Sequence, residues 1–227
     1  MTRFLHHLQV LTVLGLIQSA TAAVTFNQAG MNVTVTGTGS EILNTGTLVE
    51  ANHVGNAVDT VMQSAGTVTL DNGLTFGNSI TGINIGGPFH STISDAQTRA
   101  PLVTNSAFDA LTSSYIWIAY SNSVSSLTIN SLTVGQDYRL QLVSGAPAGG
   151  SGITTVSVEG DTTSWSGTNS LLTATWTATD TTANIILSRV GGEIEFNAYA
   201  LHAVPEPSAL LLGSVGVFTL LRRRRSA

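Results

Sequence analysis

Ser126–Val143 reads SLTINSLTVGQDYRLQLV. Leu127 and Ile129 alternate with polar neighbours, and Leu132 leads into Thr133-Val134-Gly135-Gln136. That tetrapeptide carries the glycine that tight turns favour. Beyond it, Tyr138, Leu140 and Leu142 fall on one face, while Arg139, Gln141 and Val143 fall on the other. A strand sends successive side chains to opposite faces, so a period of two predicts strand, turn and strand rather than helix.

The same period recurs on both sides. Val156 and Val158 alternate with Ser157 and Glu159, and Leu172, Ala174, Trp176 and Ala178 alternate with Thr173, Thr175 and Thr177. Ile194, Phe196, Ala198 and Ala200 are expected opposite Glu193, Glu195, Asn197 and Tyr199, and Asn184–Val190 is a further apolar strand. Earlier candidates are Met31–Thr36, Thr47–Asn52, Gly66–Leu70, Leu74–Phe76 and Tyr115–Tyr120. Asp71-Asn72-Gly73 between two of them is a hairpin signal. Ala107–Ser113 is helix-like, within a weakly patterned stretch from Gly77 to Ser114 that is expected to form long loops. Short strands punctuated by Gly, Asn and Asp predict an all-β fold, an antiparallel β-sandwich of the jelly-roll kind, over residues 24–204.

Composition narrows the partners. Only 9% of residues are charged, against about 25% in an average soluble protein. The chain has no lysine and no cysteine. Disulfides, thiolate metal sites and a cysteine nucleophile are therefore excluded. Between Val24 and Val204 there are twelve acids against Arg99, Arg139 and Arg189, a net of nine negative charges. An acidic domain without basic clusters argues against nucleic acid as a partner.

The two ends differ from the middle. Met1–Ala23 has a basic start at Arg3, an apolar run from Val10 to Ile17, and small residues at its end. Ala20-Thr21-Ala22 and Thr21-Ala22-Ala23 both offer cleavage spacing, so residues 1–23 read as a secretory signal peptide for the Sec export machinery. The alternative is a buried N-terminal helix. At the other end, Pro205-Glu206-Pro207 precedes an apolar run, Ser208–Leu221, and then Arg222, Arg223, Arg224 and Arg225. Fourteen helical residues reach about 21 Å, short of a hydrocarbon core of about 30 Å. The arginines would stay at the cytoplasmic headgroups, so both ends predict the same topology, domain outside and tail inside.

This order of Pro-Glu-Pro, apolar helix and arginine cluster resembles the PEP-CTERM sorting signal of exported proteins in Gram-negative, often biofilm-forming bacteria. The resemblance assigns residues 205–227 to sorting. Pro205, Glu206 and Pro207 match its motif and Arg222–Arg225 its basic end. It implies an exosortase-type enzyme that removes the tail after transient anchoring in the inner membrane, then a place at the cell surface or in the extracellular matrix. A plain C-terminal anchor is the alternative. The middle, through TGTLVEANHVG, VTLDNGLTFG, SLTINSLTVGQDYRLQLV and FNAYALHAV, resembles β-sandwich domains of PEP-CTERM proteins that are similar to galactose-binding or malectin-like jelly rolls.

Chemistry is sparse. Outside the signal peptide the histidines are His53, His90 and His202, and no two have metal-ligand spacing. Gly213-Ser214-Val215-Gly216 lies in the apolar tail and is not a nucleophile elbow. Glu193 and Glu195 would share a strand face roughly 7 Å apart, a separation glycosidases use, but opposite an apolar face they are expected to look into solvent. Asp59, Asp71, Asp161 and Asp180 sit near turns, so a structural calcium is compatible, with no ligand set assigned and no DxDxDG cluster. Trp165 lies in DTTSWSGTNS, read as a polar loop. There it either caps the core or stacks on a sugar, with Asp161, Ser164 or Asn169 bonding the hydroxyls. Three functional readings follow: a non-catalytic structural or adhesive protein, a lectin-like module binding an extracellular polysaccharide, and a polysaccharide-active enzyme.

Overall fold

The computed structural model describes residues 23–30, 39–58, 61–64, 67–77, 106–113, 116–118, 124–145, 153–166, 170–191 and 194–205. The first strands are β1 (Thr25–Gly30), β2 (Thr47–Val58), β3 (Val61–Ser64), β4 (Val68–Thr69) and β5 (Thr75–Phe76). After the helix α1 (Ser106–Ser113) come β6 (Ile116–Ile118), β7 (Val124–Ile129), β8 (Asp137–Ser144), β9 (Ile153–Val158) and β10 (Asp161–Ser166). The last four are β11 (Ser170–Thr177), β12 (Ala183–Gly191), β13 (Ile194–Phe196) and β14 (Ala198–Val204). The fold is all-β, in antiparallel sheets with one short helix among the described residues.

A six-stranded sheet has the order β1-β11-β8-β14-β2-β3, and a four-stranded sheet the order β10-β9-β12-β7. The opening stretch therefore divides between them, β7 in one and β8 in the other. Its turn, closed by Gln136 N–H donating to Thr133 O at 3.1 Å, with a φ of +84° at Gly135, carries the chain across layers rather than closing a hairpin.

Register explains the core. Leu172, Leu142 and Tyr199 lie side by side across β11, β8 and β14, and Ala174, Leu140 and Leu201 form the next row. These rows meet Leu127, Ile129, Val156, Val158, Trp165, Ile185 and Leu187 of the four-stranded sheet in one buried cluster. On the opposite face of the six-stranded sheet, Leu171, Val143, Ala198 and Ala200 pack under Ile42, the β4–β5 hairpin and Phe108 and Leu111 of α1. The central strands are thus buried on both faces: along β8 every side chain from Tyr138 to Ser144 is buried, with Tyr138, Leu140 and Leu142 toward the four-stranded sheet and Arg139, Gln141 and Val143 the other way.

Two expectations are corrected. Asp161–Ser166 is a strand, not a loop. Glu159 and Gly160 both have positive φ, 50° and 91°, as a two-residue primed hairpin turn requires, and they pair β10 with β9. Tyr199 does not oppose the core: Asn197 separates β13, which pairs with β6, from β14, which pairs with β2 and β8, the alternation resets, and Tyr199 is fully buried with Leu201. The polar face of β8 is covered by the 39–46 segment. Val61–Ser64 is a strand that the pattern had not suggested. The Asp71-Asn72-Gly73 turn and the helix near Ala107–Ser113 are found where expected. Met31–Thr36, the signal peptide up to residue 22 and the Ser208–Leu221 helix lie outside the described residues. Among the described residues no helix is long and apolar enough to cross a membrane.

Candidate functional site

The first and last described residues lie at one end of the six-stranded sheet. Thr25 of β1 pairs with Thr175, Thr177 pairs with Asp137, and Asp137 pairs with Val204, the last residue of β14. A cleft of about 250 Å³ opens between Ala23 and Val204, floored by Tyr138 and Trp176 and rimmed by Asp137 and Thr177. Polar side chains fix this end. The Gln136 Nε2 group donates to the carbonyls of Val204 (2.7 Å) and Asp137 (3.0 Å), and so holds the exit strand against β8. The Thr177 hydroxyl donates to Asp137 Oδ1 at 2.6 Å, and the Thr133 N–H to the Tyr138 hydroxyl at 2.8 Å. Val24 N–H donates to Asp161 Oδ2 at 2.7 Å. Pro205 is exposed immediately beyond β14, and Glu206, Pro207 and Arg222–Arg225 lie outside the described residues.

Trp165 lies in the core. It is 0% exposed, in the cluster between the sheets. Trp165 pairs with Thr154 and Thr163 with Val156, so both point inward with the alternation of β10. An aromatic ring without exposed surface cannot stack on a ligand in this conformation. Asp161 is exposed but engaged with Val24, and Asn169 lies outside the described residues. The structure therefore does not assemble Trp165 and Asp161 into a binding face.

The acids near turns do not converge. Among the described residues no group of three or more His, Asp or Glu side chains could hold a metal ion. Asp71 and Asp180 are exposed, the latter bonded to Thr181 N–H at 2.5 Å, and Asp59 lies outside the described residues. Glu195 sits on β13 opposite Trp117 of β6, while Glu193 lies outside the described residues.

Two buried polar clusters were not legible as units. Tyr199 donates its hydroxyl to Glu50 Oε1 at 2.7 Å and accepts from Asn52 Nδ2 at 2.6 Å, and Asn52 also donates to Glu50. Burial, then the Glu50 charge and hydrogen bond, push the Tyr199 hydroxyl far above its ordinary range, so it stays a neutral donor. On the other face of the sheet, Arg139 donates to Thr45 Oγ1 at 2.9 Å and to the Thr45 carbonyl. Gln141 accepts from Leu43 N–H at 2.9 Å. These side chains strap the 39–46 segment to β8. The alternation of Arg139 and Gln141 was visible in the sequence, but not the segment they grip.

The arrangement is all-β, with both ends of the described chain at one end of the six-stranded sheet, and β14 is followed in sequence by a C-terminal segment. That segment carries the decisive likeness: residues 203–225 match the PEP-CTERM protein-sorting motif. The motif implies an exported protein with an exosortase sorting signal. No curated protein matches the chain. Two solved structures resemble parts of it. One is a family GH115 4-O-methyl-α-glucuronidase, BtGH115A, with specificity for decorated arabinogalactans: 12% identity over 41% of this chain and 15% of that one, TM-score 0.32. The other is Bacteroides uniformis β-glucuronidase 2 covalently bound to cyclophellitol-6-carboxylate aziridine: 14% identity over 69% of this chain and 18% of that one, TM-score 0.44. The matched part is less than a fifth of either enzyme, and likeness at this level carries no activity to this chain.

Proposed function

We propose that this chain is an exported, non-catalytic β-sandwich protein with a structural or adhesive role at the cell surface or in the extracellular matrix. The observation that carries the reading is the PEP-CTERM motif at residues 203–225, which begins inside the last strand of the domain. Residues 1–23 serve as the signal peptide, 24–204 as a jelly-roll-like domain akin to galactose-binding folds, and 205–227 as the sorting segment. In that segment Ser208–Leu221 anchors transiently in the inner membrane and Arg222–Arg225 remain on the cytoplasmic side until an exosortase-type enzyme reads Pro205-Glu206-Pro207. Support for release comes from length, since fourteen apolar residues make a marginal permanent anchor. Support for a non-catalytic role comes from Glu50, Asp137, Glu159, Asp161 and Asp180, which accept hydrogen bonds from Tyr199 and Asn52, Thr177, Asn184, Val24 and Thr181 respectively.

The test is to locate the native protein and determine its mature ends by mass spectrometry. The reading expects an exported protein lacking Arg222–Arg225. An exported protein that retains the Arg222–Arg225 peptide overturns the processing step, and turnover of any member of a polysaccharide panel overturns the non-catalytic assignment.

A further inference from the structure

β1 is an edge strand of the six-stranded sheet and β10 an edge strand of the four-stranded sheet. The contact from Val24 N to Asp161 Oδ2, at 2.7 Å, links the start of one edge to the start of the other. Val24 also packs, partly buried, against the core between the sheets, whereas Ala23 before it is exposed. The sequence leaves two cleavage points, after Ala22 and after Ala23. They differ sharply in what faces Asp161: an amide N–H in a chain beginning at Ala23, an α-ammonium in a chain beginning at Val24.

We propose that the exported chain is cut between Ala23 and Val24, and that the new Val24 ammonium pairs with Asp161 to clasp the edges of the two sheets. The inference rests on the export reading above. The step is hydrolysis. Water adds across the Ala23–Val24 peptide bond, its hydroxyl going to the Ala23 carbonyl carbon, which leaves as the carboxylate of the signal peptide. The Val24 nitrogen takes the remaining protons and is an ammonium at neutral pH. The contact, charged on the acceptor side alone before the cut, then carries opposite charges on both partners and becomes an ion pair. The folded domain is in this way completed by its own processing.

The absence of lysine makes the idea unusually accessible, because the α-amine is then the only primary amine in the chain. The exported protein is purified, its N-terminus is read by mass spectrometry, and the α-amine is acetylated. We expect a chain starting at Val24 and, on acetylation, a melting temperature lowered by roughly 1–4 °C. The same acetylation leaves the melting temperature of exported Asp161→Asn unchanged. An exported chain starting at Ala23, or an equal shift in both proteins, overturns the clasp while leaving export intact. A chain that keeps Met1 or Thr2 and remains in the cytoplasm overturns the export reading itself, and the clasp with it.

Discussion

His202 lies directly opposite Arg139 across the β14–β8 pair, and both side chains are buried. Neither ring nitrogen of His202 has a hydrogen-bond partner among the described residues. Burial first, and the Arg139 charge second, hold the imidazole below its ordinary range. Arg139 keeps its charge while bonded to Thr45. An imidazolium at this position would be a second buried cation with no counter-ion among the described residues, so the folded state favours the neutral ring.

Acid sensitivity follows. In the unfolded chain His202 takes up a proton near pH 6.5, whereas in the folded chain it does so only at lower pH. Between the two values the unfolded state binds more protons, and stability falls as the pH falls. Its contribution is complete above about pH 6.5 and is lost as the pH drops toward the folded-state value. Urea denaturation at a series of pH values measures the slope. His202→Gln is expected to flatten it below about pH 6.5, and an unchanged slope would assign the acid sensitivity elsewhere.

Trp165 supplies a second prediction. Fully buried between the sheets, it is a core residue, and Trp165→Ala is expected to cost about 3–5 kcal/mol by leaving a large cavity. Its indole N–H has no acceptor among the described residues. Trp165→Phe removes that donor along with part of the ring, so its cost should be smaller, about 1–2 kcal/mol. Chemical denaturation of the two variants gives the comparison. A Trp165→Ala protein of unchanged stability would mean that the ring is not in the core.

The fate of Trp165 shows how far the sequence could be read. The strands around Tyr138, Leu140 and Leu142 and around Leu172, Ala174 and Trp176 were legible because apolar and polar residues alternate cleanly there. β10 was not, since Thr163 and Trp165 are its only large inward side chains among Asp, Thr and Ser. The hairpin signal was nonetheless present in Glu159-Gly160 between two segments of period two. Tyr199 was assigned to the wrong face because a single residue, Asn197, resets the alternation. Asn197 bridges the Gly145 N–H (2.6 Å) and the Thr112 carbonyl (2.9 Å), contacts distant in sequence that no local pattern carries. The sorting segment was legible for the opposite reason. It is a linear signal, complete in consecutive residues.

The Tyr199 cluster gives a third expectation. Tyr199→Phe preserves the ring but removes the donor to Glu50 and the acceptor for Asn52. Hydrogen bonds to charged groups contribute about 1.5–3 kcal/mol, so a loss in that range is expected in denaturant unfolding. In Tyr199→Phe combined with Glu50→Gln the two losses should not add, because the pair shares one bond. Strict additivity would mean that the hydroxyl and Glu50 contribute independently.

Two glycines separate backbone strain from packing. Gly46 and Gly135 both occupy positive φ, +94° and +84°. A Cβ on Gly135 would meet nothing within 4 Å, while a Cβ on Gly46 would lie 2.5 Å from the Ala203 carbonyl oxygen. Gly135→Ala therefore pays conformational strain alone, about 1–2 kcal/mol. Gly46→Ala pays a similar strain and must also push the covering segment off β14, one residue before the strand ends at Val204. Its cost should exceed that of Gly135→Ala by at least about 1 kcal/mol, the scale of a core overpacked by a single carbon. Paired denaturation curves decide it. Equal losses would show that the 39–46 segment yields freely, and would place the rigidity of the exit strand in the Gln136 bonds instead.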